Sequence, residues 1–311
     1  MSELRHEFSW SVSRRGLAET CLRAYYHQYY LAWRGWERDA PAERAESYRL
    51  KNTTRLPMWA GDCLHQAIEQ WFEQRAAGRT LGAEELVERA LARFRGGYKQ
   101  SRDEAAQWRR APKRHTRLQE HHYAEACVDE PSGRAREYGG RFVERIQRAA
   151  RWFCESSELA AVRAAPPEQW LACEQLGTIE LFKTAIHAVP DFAYRDAGGV
   201  LWIHDWKSGS ERPEHAFQLA LYALYAEQRW GADPTGVRCV ADYLEEGRAV
   251  EHRFDAEALE GVLGAVHASI TALRELHFDA GGSDGEPARF PQLSVGASAC
   301  ATCAFRGPCG R

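Results

Sequence analysis

Between residues 59 and 77 apolar side chains recur at helical spacing. Leu64, Ala67, Ile68, Trp71 and Phe72 make one stripe, which predicts a helix from Trp59 to Ala77 with that stripe against a core. His65 and Glu69 lie one turn apart on a neighbouring face. Upstream, residues 14–33 are aromatic-rich, with Leu17, Cys21 and Tyr25 one turn apart, and read as another helix; 37–56 reads as a polar connection. From about 80 to 165 the chain is rich in Arg, Glu and Ala and poor in β-branched residues, the pattern of several helices. The period changes near Trp170. WLACEQL, TIELFKTAIHAV, PDFAYRD and VLWIHDWKS read as successive short strands, with the AGG at 197–199 as a turn. ERPEHAFQLALYALYAEQRW then reads as a helix with Pro213 in its first turn. Two strands, VRCVADYL and AVEHRF, precede a helix over 256–276, and the Gly-rich GGSDGEP leads into a cysteine-rich tail. This order predicts one α/β domain over 1–311, carrying a helical insertion at 80–165 and a tail at 300–311.

Composition narrows the function. With 44% apolar and 27% charged residues in 311, the chain has material for a sizeable core. A formal charge of −3 means that any surface for a polyanion must come from local clustering. No apolar run approaches the roughly 18 residues of a membrane span, and the N-terminus lacks a signal-peptide pattern, so a cytoplasmic protein is expected. Nine cysteines in a reducing compartment point to metal ligands or small buried side chains, not disulfides. There is no GxxxxGK[ST] phosphate loop and no dinucleotide fingerprint, so an ATP-driven motor would be a separate chain.

Alternation along VLWIHDWK puts Leu201, Ile203, Asp205 and Lys207 on one face of a strand, with Val200, Trp202, His204 and Trp206 on the other. A short hairpin could bring Asp191 alongside. Two carboxylates suit a hard divalent ion, Mg²⁺ or Mn²⁺, which polarises a phosphate and acidifies a bound water. A lysine beside them can orient that water or stabilise developing charge. The competing reading is a solvated pair on a strand edge. The apolar neighbours of Asp205 oppose it, because burying unpaired charge is costly.

Pro-Asp at 190–191 followed by D-x-K at 205–207 resembles the PD-(D/E)XK nuclease superfamily. GDCLH at 61–65 and QLALY at 218–222, in that order around it, resemble the upstream histidine and the Gln-x-x-x-Tyr motif of its RecB-like branch. The resemblance implies a restriction-endonuclease-like core, a central mixed sheet flanked by helices. It implies Asp191, Asp205 and His65 as metal ligands, with the Trp206 carbonyl as a further oxygen, and Lys207 as the catalytic lysine. Gln218 and Tyr222 would line the site and contact substrate, and Glu174 matches the upstream acidic position. AVPDF departs from the more usual Gly-x-x-Asp lead-in, which leaves the turn before Asp191 open. Taken alone, His65 reads as a surface helix residue, and Gln218 and Tyr222 as an ordinary amphipathic pair.

The tail, Cys300-Ala-Thr-Cys303 followed by Cys309, has a metal-binding spacing with one position short of four. A subset of RecB-like nucleases pairs one N-terminal cysteine with three C-terminal ones around a [4Fe–4S] cluster, which implies Cys21 as the fourth ligand and a tail closing onto the N-terminal helix. Zinc is the alternative, since four thiolates suit it equally. Cys63, Cys127, Cys154, Cys173 and Cys239 read as buried apolar residues.

Between Arg93 and Arg117 nine Lys or Arg face only Asp103 and Glu104, with Tyr98 and Trp108 among them. This reads either as solvated helix faces or as a phosphate-binding footprint in which an aromatic stacks on an unpaired base. The expectation is a metal-dependent DNA nuclease, a single-strand exonuclease in its simplest form. The resemblance implies a separate helicase or CRISPR integration proteins as partners. The alternatives are an idle DNA- or partner-binding subunit and an RNA-processing nuclease.

Overall fold

The computed structural model describes residues 5–173, 177–281 and 285–311. A two-residue strand, β1 (Ser9–Trp10), precedes α1 (Val12–Thr20) and α2 (Leu22–Tyr26), which runs into a π-helical turn over His27–Leu31. The single helix expected over 14–33 is thus broken. Cys21 is extended (φ −163°, ψ 111°); its N–H closes α1 on the Leu17 carbonyl, and its Sγ accepts from the Ala24 N–H at 3.4 Å to start α2.

The expected polar connection at 37–56 also contains a helix, α3 (Ala42–Lys51). Its inward stripe is Arg44, Ser47 and Leu50, so a search for apolar periodicity passes over it. Arg44 donates to the carbonyls of Trp33 (2.6 Å) and Ala280 (3.1 Å), and Ser47 Oγ meets His27 Nδ1 at 3.0 Å. Next come α4 (Leu56–Ala76), α5 (Ala83–Asp103), α6 (Ala105–Arg110), α7 (Gln119–His122), α8 (Arg134–Glu155) and α9 (Ala160–Ala164).

The strands are β2 (Trp170–Cys173), β3 (Gly177–Leu181), β4 (Thr184–Ala188), β5 (Phe192–Arg195) and β6 (Leu201–Lys207). TIELFKTAIHAV is two strands, not one: Phe182 and Lys183, at φ +52° and +54°, form a two-residue hairpin turn without glycine, the residue that usually announces one. Helix α10 (Pro213–Trp230) leads to β7 (Arg238–Tyr243) and β8 (Arg248–His252), then α11 (Ala256–Glu275) and a short α12 (Ser298–Ala301).

Strands β2-β5-β6-β7-β8 form a mixed sheet in which only β6 and β7 are parallel; β1-β4-β3 form a smaller one. The β6–β7 connection is α10, so that helix crosses back over the sheet. Alternate residues of the strands feed two cores. Ala193, Leu201, Ile203, Cys239 and Ala241 pack with α10, α11 and the N-terminal helices. Phe192, Tyr194 and Trp206 pack with α4, α5 and α8. Phe72 of α4 stacks on Phe192 at 4.1 Å between ring centres, and Phe153 of α8 meets Trp206 edge-on at 5.7 Å. The helices of the 80–165 segment therefore share a core with the sheet. Cys63 and Cys239 are buried as expected, whereas Cys127, Cys154 and Cys173 are half-buried.

Candidate active site

The β5–β6 hairpin pairs Phe192 with His204, which sets Asp191 beside the end of β6. There Asp191 Oδ2 accepts the Trp206 N–H at 2.5 Å. Asp205 and Lys207 share the face that α10 covers, and the Lys207 ammonium is ion-paired with Asp205. Lys207 also donates to Gln218 Oε1 at 2.8 Å. The Gln218 amide donates to Tyr222 Oη at 2.7 Å, and that hydroxyl donates to the Val189 carbonyl at 2.7 Å. The hydrogen-bond chain starts at the catalytic-type lysine and ends two residues before Asp191. Tyr222 is only 3% exposed, and its hydroxyl takes part in this chain from within the core.

Asp205 is 3% exposed. Burial, then the neighbouring Asp191 carboxylate, push its carboxyl up to about 6 against the opposing pull of Lys207 and His65. Two crowded carboxylates make a donor set suited to a hard cation. His65 reaches the same place from α4, with Nδ1 3.4 Å from Asp191 Oδ1. Gly61, one turn earlier on α4, faces the same strand end. A Cβ there would lie 2.8 Å from Ser208 Oγ, just beyond the end of β6. Among the described residues, no group of three or more His, Cys, Asp or Glu is arranged to hold a metal ion with the side chains as they lie.

Trp206 presents its backbone to Asp191 while its ring is buried in the second core. Glu174 lies outside the described residues. One neighbour went unread in the sequence: His215, three positions before Gln218 on α10. Burial, then the charge of Lys207, hold its imidazole below the usual range, and its Nδ1 lies 3.1 Å from Oη of Tyr243, the register partner of Lys207 on β7. The spacing to Gln218 was the available signal. On the opposite face of the sheet, His204 Nδ1 and Asp242 Oδ2 form a buried pair at 2.8 Å.

The tail folds back on the N-terminal helices. Cys21 and Cys303 pack around Ala24, Leu50 and Phe305, and Phe305 stacks on His27 at 5.2 Å. Burial first, then neighbouring cysteines including Cys21 and Cys300, raise the Cys303 and Cys309 thiols above their usual range. All four cysteines thus lie in one neighbourhood, with Cys309 Sγ 3.7 Å from His27 Nε2. The tail is also held from a side that the sequence did not suggest. Arg306 pairs with Glu125 at 2.7 Å and lies over the Tyr123 ring at 3.9 Å, and Tyr123 Oη donates to the Ala304 carbonyl at 2.6 Å.

The basic stretch 93–117 does not present one face. Arg93 lies over the Trp59 ring, Arg102 pairs with Asp103 and Glu130, and Arg117 donates to the Ser101 and His121 carbonyls. Trp108 is 1% exposed, which removes it as a stacking platform, while Tyr98 is half-buried with its hydroxyl enclosed.

The mixed sheet, its α10 crossover and the Asp–Lys strand end define a restriction-endonuclease-like α/β protein. Residues 9–310 match the PD-(D/E)XK nuclease superfamily, and the chain belongs to it. Nucleases of this superfamily use divalent metals such as Mg²⁺ or Mn²⁺. No curated protein matches the chain significantly. Among the described residues, no helix is long and apolar enough to cross a membrane.

Proposed function

We propose that this protein is a Mg²⁺- or Mn²⁺-dependent DNA nuclease of the RecB-like kind, acting as a single-strand exonuclease. The observation that carries the reading is the chain Lys207–Gln218–Tyr222–Val189, which joins the Asp-x-Lys strand, the Gln-x-x-x-Tyr helix and the Pro-Asp turn in one hydrogen-bonded unit. In this reading Asp191, Asp205 and His65 hold the metal, with the Trp206 carbonyl as a further oxygen donor, and Glu174 is the upstream acidic residue. When bound, the ion supplies a Lewis acid for the scissile phosphate and lowers the pKa of water. Lys207, oriented by Asp205 and Gln218, donates hydrogen bonds to the phosphate or to the attacking water. His65 is steadied by Asp191, and Tyr222 keeps the Asp191 turn in register.

Labelled single-stranded DNA, duplex DNA and RNA incubated with Mn²⁺ test this directly. Progressive shortening of single-stranded DNA, lost in Lys207→Ala, is the expected outcome. Preferential RNA cleavage would favour an RNA-processing nuclease. No cleavage, or equal cleavage by the lysine variant, would leave an idle binding subunit.

The same proposal includes a [4Fe–4S] cluster on Cys21, Cys300, Cys303 and Cys309. The neighbourhood of the four cysteines supports it, and the cluster would fix both ends of the chain to the core. Protein purified without oxygen should be brown and contain iron. A colourless, zinc-containing protein would refute the cluster and leave a zinc clasp.

A further inference from the structure

A cavity of about 910 Å³ opens between the loop that precedes α3 and the loop that follows α6. Its walls carry Arg38, Arg49, Arg109, Arg110, Lys113 and Arg114. Arg38, Arg109, Arg110, Lys113 and Arg114 form no ion pair among the described residues, and all five are exposed. The two lining glutamates are already engaged, Glu37 with Arg34 at 2.7 Å and Glu46 with Arg49 at 2.9 Å. In a chain of net charge −3 this is a strong local excess, and it carries an unmet demand for anions.

The cavity also holds an aromatic that nothing in the core requires. Trp36 is 44% exposed, edge-on to Trp33 (5.4 Å) and to Tyr48 (5.7 Å). Gly35 makes that pose possible, because a Cβ there would lie 2.4 Å from the Arg44 carbonyl and 2.5 Å from Tyr48 Cβ. The loop is thereby pressed onto α3, and Trp36 is supported from two sides with indole surface left open to solvent.

Two further cations, Lys51 and Arg14, lie together beyond the cavity. Lys51 ends the helix that supplies Arg49. Desolvation, then the like charges of Arg14 and Lys113, push its ammonium down to about 8. Lys51 and Arg14 both lie against the Tyr29 ring, at 5.8 and 4.3 Å. Arg14 donates to the carbonyl of Ser9, whose strand pairs with β4, and β4 runs directly into Val189 and Asp191.

We propose that this cavity is a binding subsite for a single-stranded nucleic-acid segment. Its arginines and Lys113 take phosphates, Trp36 stacks on a base, and Lys51 and Arg14 continue the track to the active site. The delivery role rests on the nuclease reading; the binding does not. A duplex hides its base faces in its own stack, so an open indole beside unpaired cations selects the single strand.

The test measures anisotropy of a labelled oligothymidylate with the full-length protein in EDTA, over a salt series, so that no cleavage is needed. Trp36→Ala should weaken binding about five- to hundred-fold, as loss of one base–aromatic stack does, with Trp36→Phe close to wild type. Converting Arg109, Arg110, Lys113 and Arg114 together to Gln should weaken binding further and reduce the slope of log affinity against log salt by up to about 3. Wild-type binding by both variants overturns the proposal. So does an equal effect of Trp36→Ala on duplex, or competition by polyglutamate as strong as by oligothymidylate. Binding through the cavity without Mn²⁺-dependent cleavage keeps the subsite and removes the nuclease reading. Cleavage by wild type with unaltered binding by the variants does the reverse.

Discussion

Replacing Tyr222 by Phe removes one oxygen and leaves a ring of nearly the same shape in its buried place. That oxygen accepts from Gln218 and donates to the Val189 carbonyl, both at 2.7 Å, so two hydrogen bonds are lost together. Gln218 and Val189 are half-buried, and water can satisfy part of what each loses. The net cost is therefore about 1 kcal/mol per bond, roughly 2 kcal/mol in all. Unfolding entropy of about 2.1 cal/mol/K per residue over 311 residues gives roughly 0.65 kcal/mol/K, so Tm should fall by about 3 °C. Activity should fall more than that small loss suggests. Without the tether Gln218 is free to turn away from Lys207, and the Val189–Asp191 turn loses its anchor, displacing groups that must be held to within a fraction of an ångström. A rate loss on the order of ten- to hundred-fold follows, in kcat more than in KM. Thermal melting and single-turnover cleavage of single-stranded DNA measure the two effects separately. A double cycle with Gln218→Leu should show coupling above about 0.5 kcal/mol. A Tyr222→Phe enzyme with wild-type rate would refute the view that α10 holds the lysine and the Asp191 turn as one unit, whatever its Tm.

Three further outcomes are expected. Phe153→Ala removes a fully buried ring that touches Trp71, Phe72 and Trp206, at a cost of about 3–5 kcal/mol. Tm should fall by roughly 5–8 °C in a single transition; an unshifted main transition would mean that α8 and the sheet do not share a core. Burial, then the like charges of Arg117 and Arg102, outweighing Glu130 and Asp103, hold the His121 imidazole down to about 4. An unfolded histidine titrates near 6.5, so between about 6.5 and 4 the unfolded chain binds more protons and stability drops with pH; above about 7 the effect vanishes. His121→Gln should lessen the Tm loss between about pH 7 and 5, and parallel curves for the two proteins would count against this assignment. Cys303→Ser should abolish bound iron and visible absorption and lower Tm, and a variant that keeps its full iron content would take Cys303 out of the ligand set.

The parts that were legible in the sequence are those in which one physical pattern governs a whole element. The alternation of VLWIHDWK placed Asp205 and Lys207 on one face, and both do lie on the α10 side of β6. Helices α4 and α10 carry continuous apolar stripes and were readable for that reason. The misreadings share a cause. Helix α3 buries Arg44 and Ser47, whose partners are carbonyls and a histidine remote in sequence. The Phe182–Lys183 turn takes positive φ without the glycine or asparagine that signals it. Trp108, set among arginines, looked like a surface platform but is enclosed, whereas Trp36 outside the basic stretch is the exposed one. In each case the residue type that usually announces the environment is missing: polar side chains face inward on α3, no glycine marks the turn, and a tryptophan set among arginines is buried.

The candidate site follows the same division. That β6, α10 and β7 form a parallel crossover means that α10 must lie across the sheet face carrying Asp205 and Lys207. Gln218, one turn and a half into that helix, is then brought over the strand end by topology, and Tyr222, one turn further, is carried to Val189. Asp191, Asp205, Lys207, Gln218 and Tyr222 therefore all sit between residues 189 and 222, positioned by a single hairpin and a single crossover helix. His65 is different. It arrives on α4, more than a hundred residues earlier in the chain, and its approach depends on the packing that fixes α4 to the sheet, such as the Phe72–Phe192 stack. Changes to the packing of α4 should therefore reach the site through His65 and also through Phe192 and Trp206, the chain neighbours of Asp191, Asp205 and Lys207. The histidine is the part of the site most exposed to the stability of the surrounding helices.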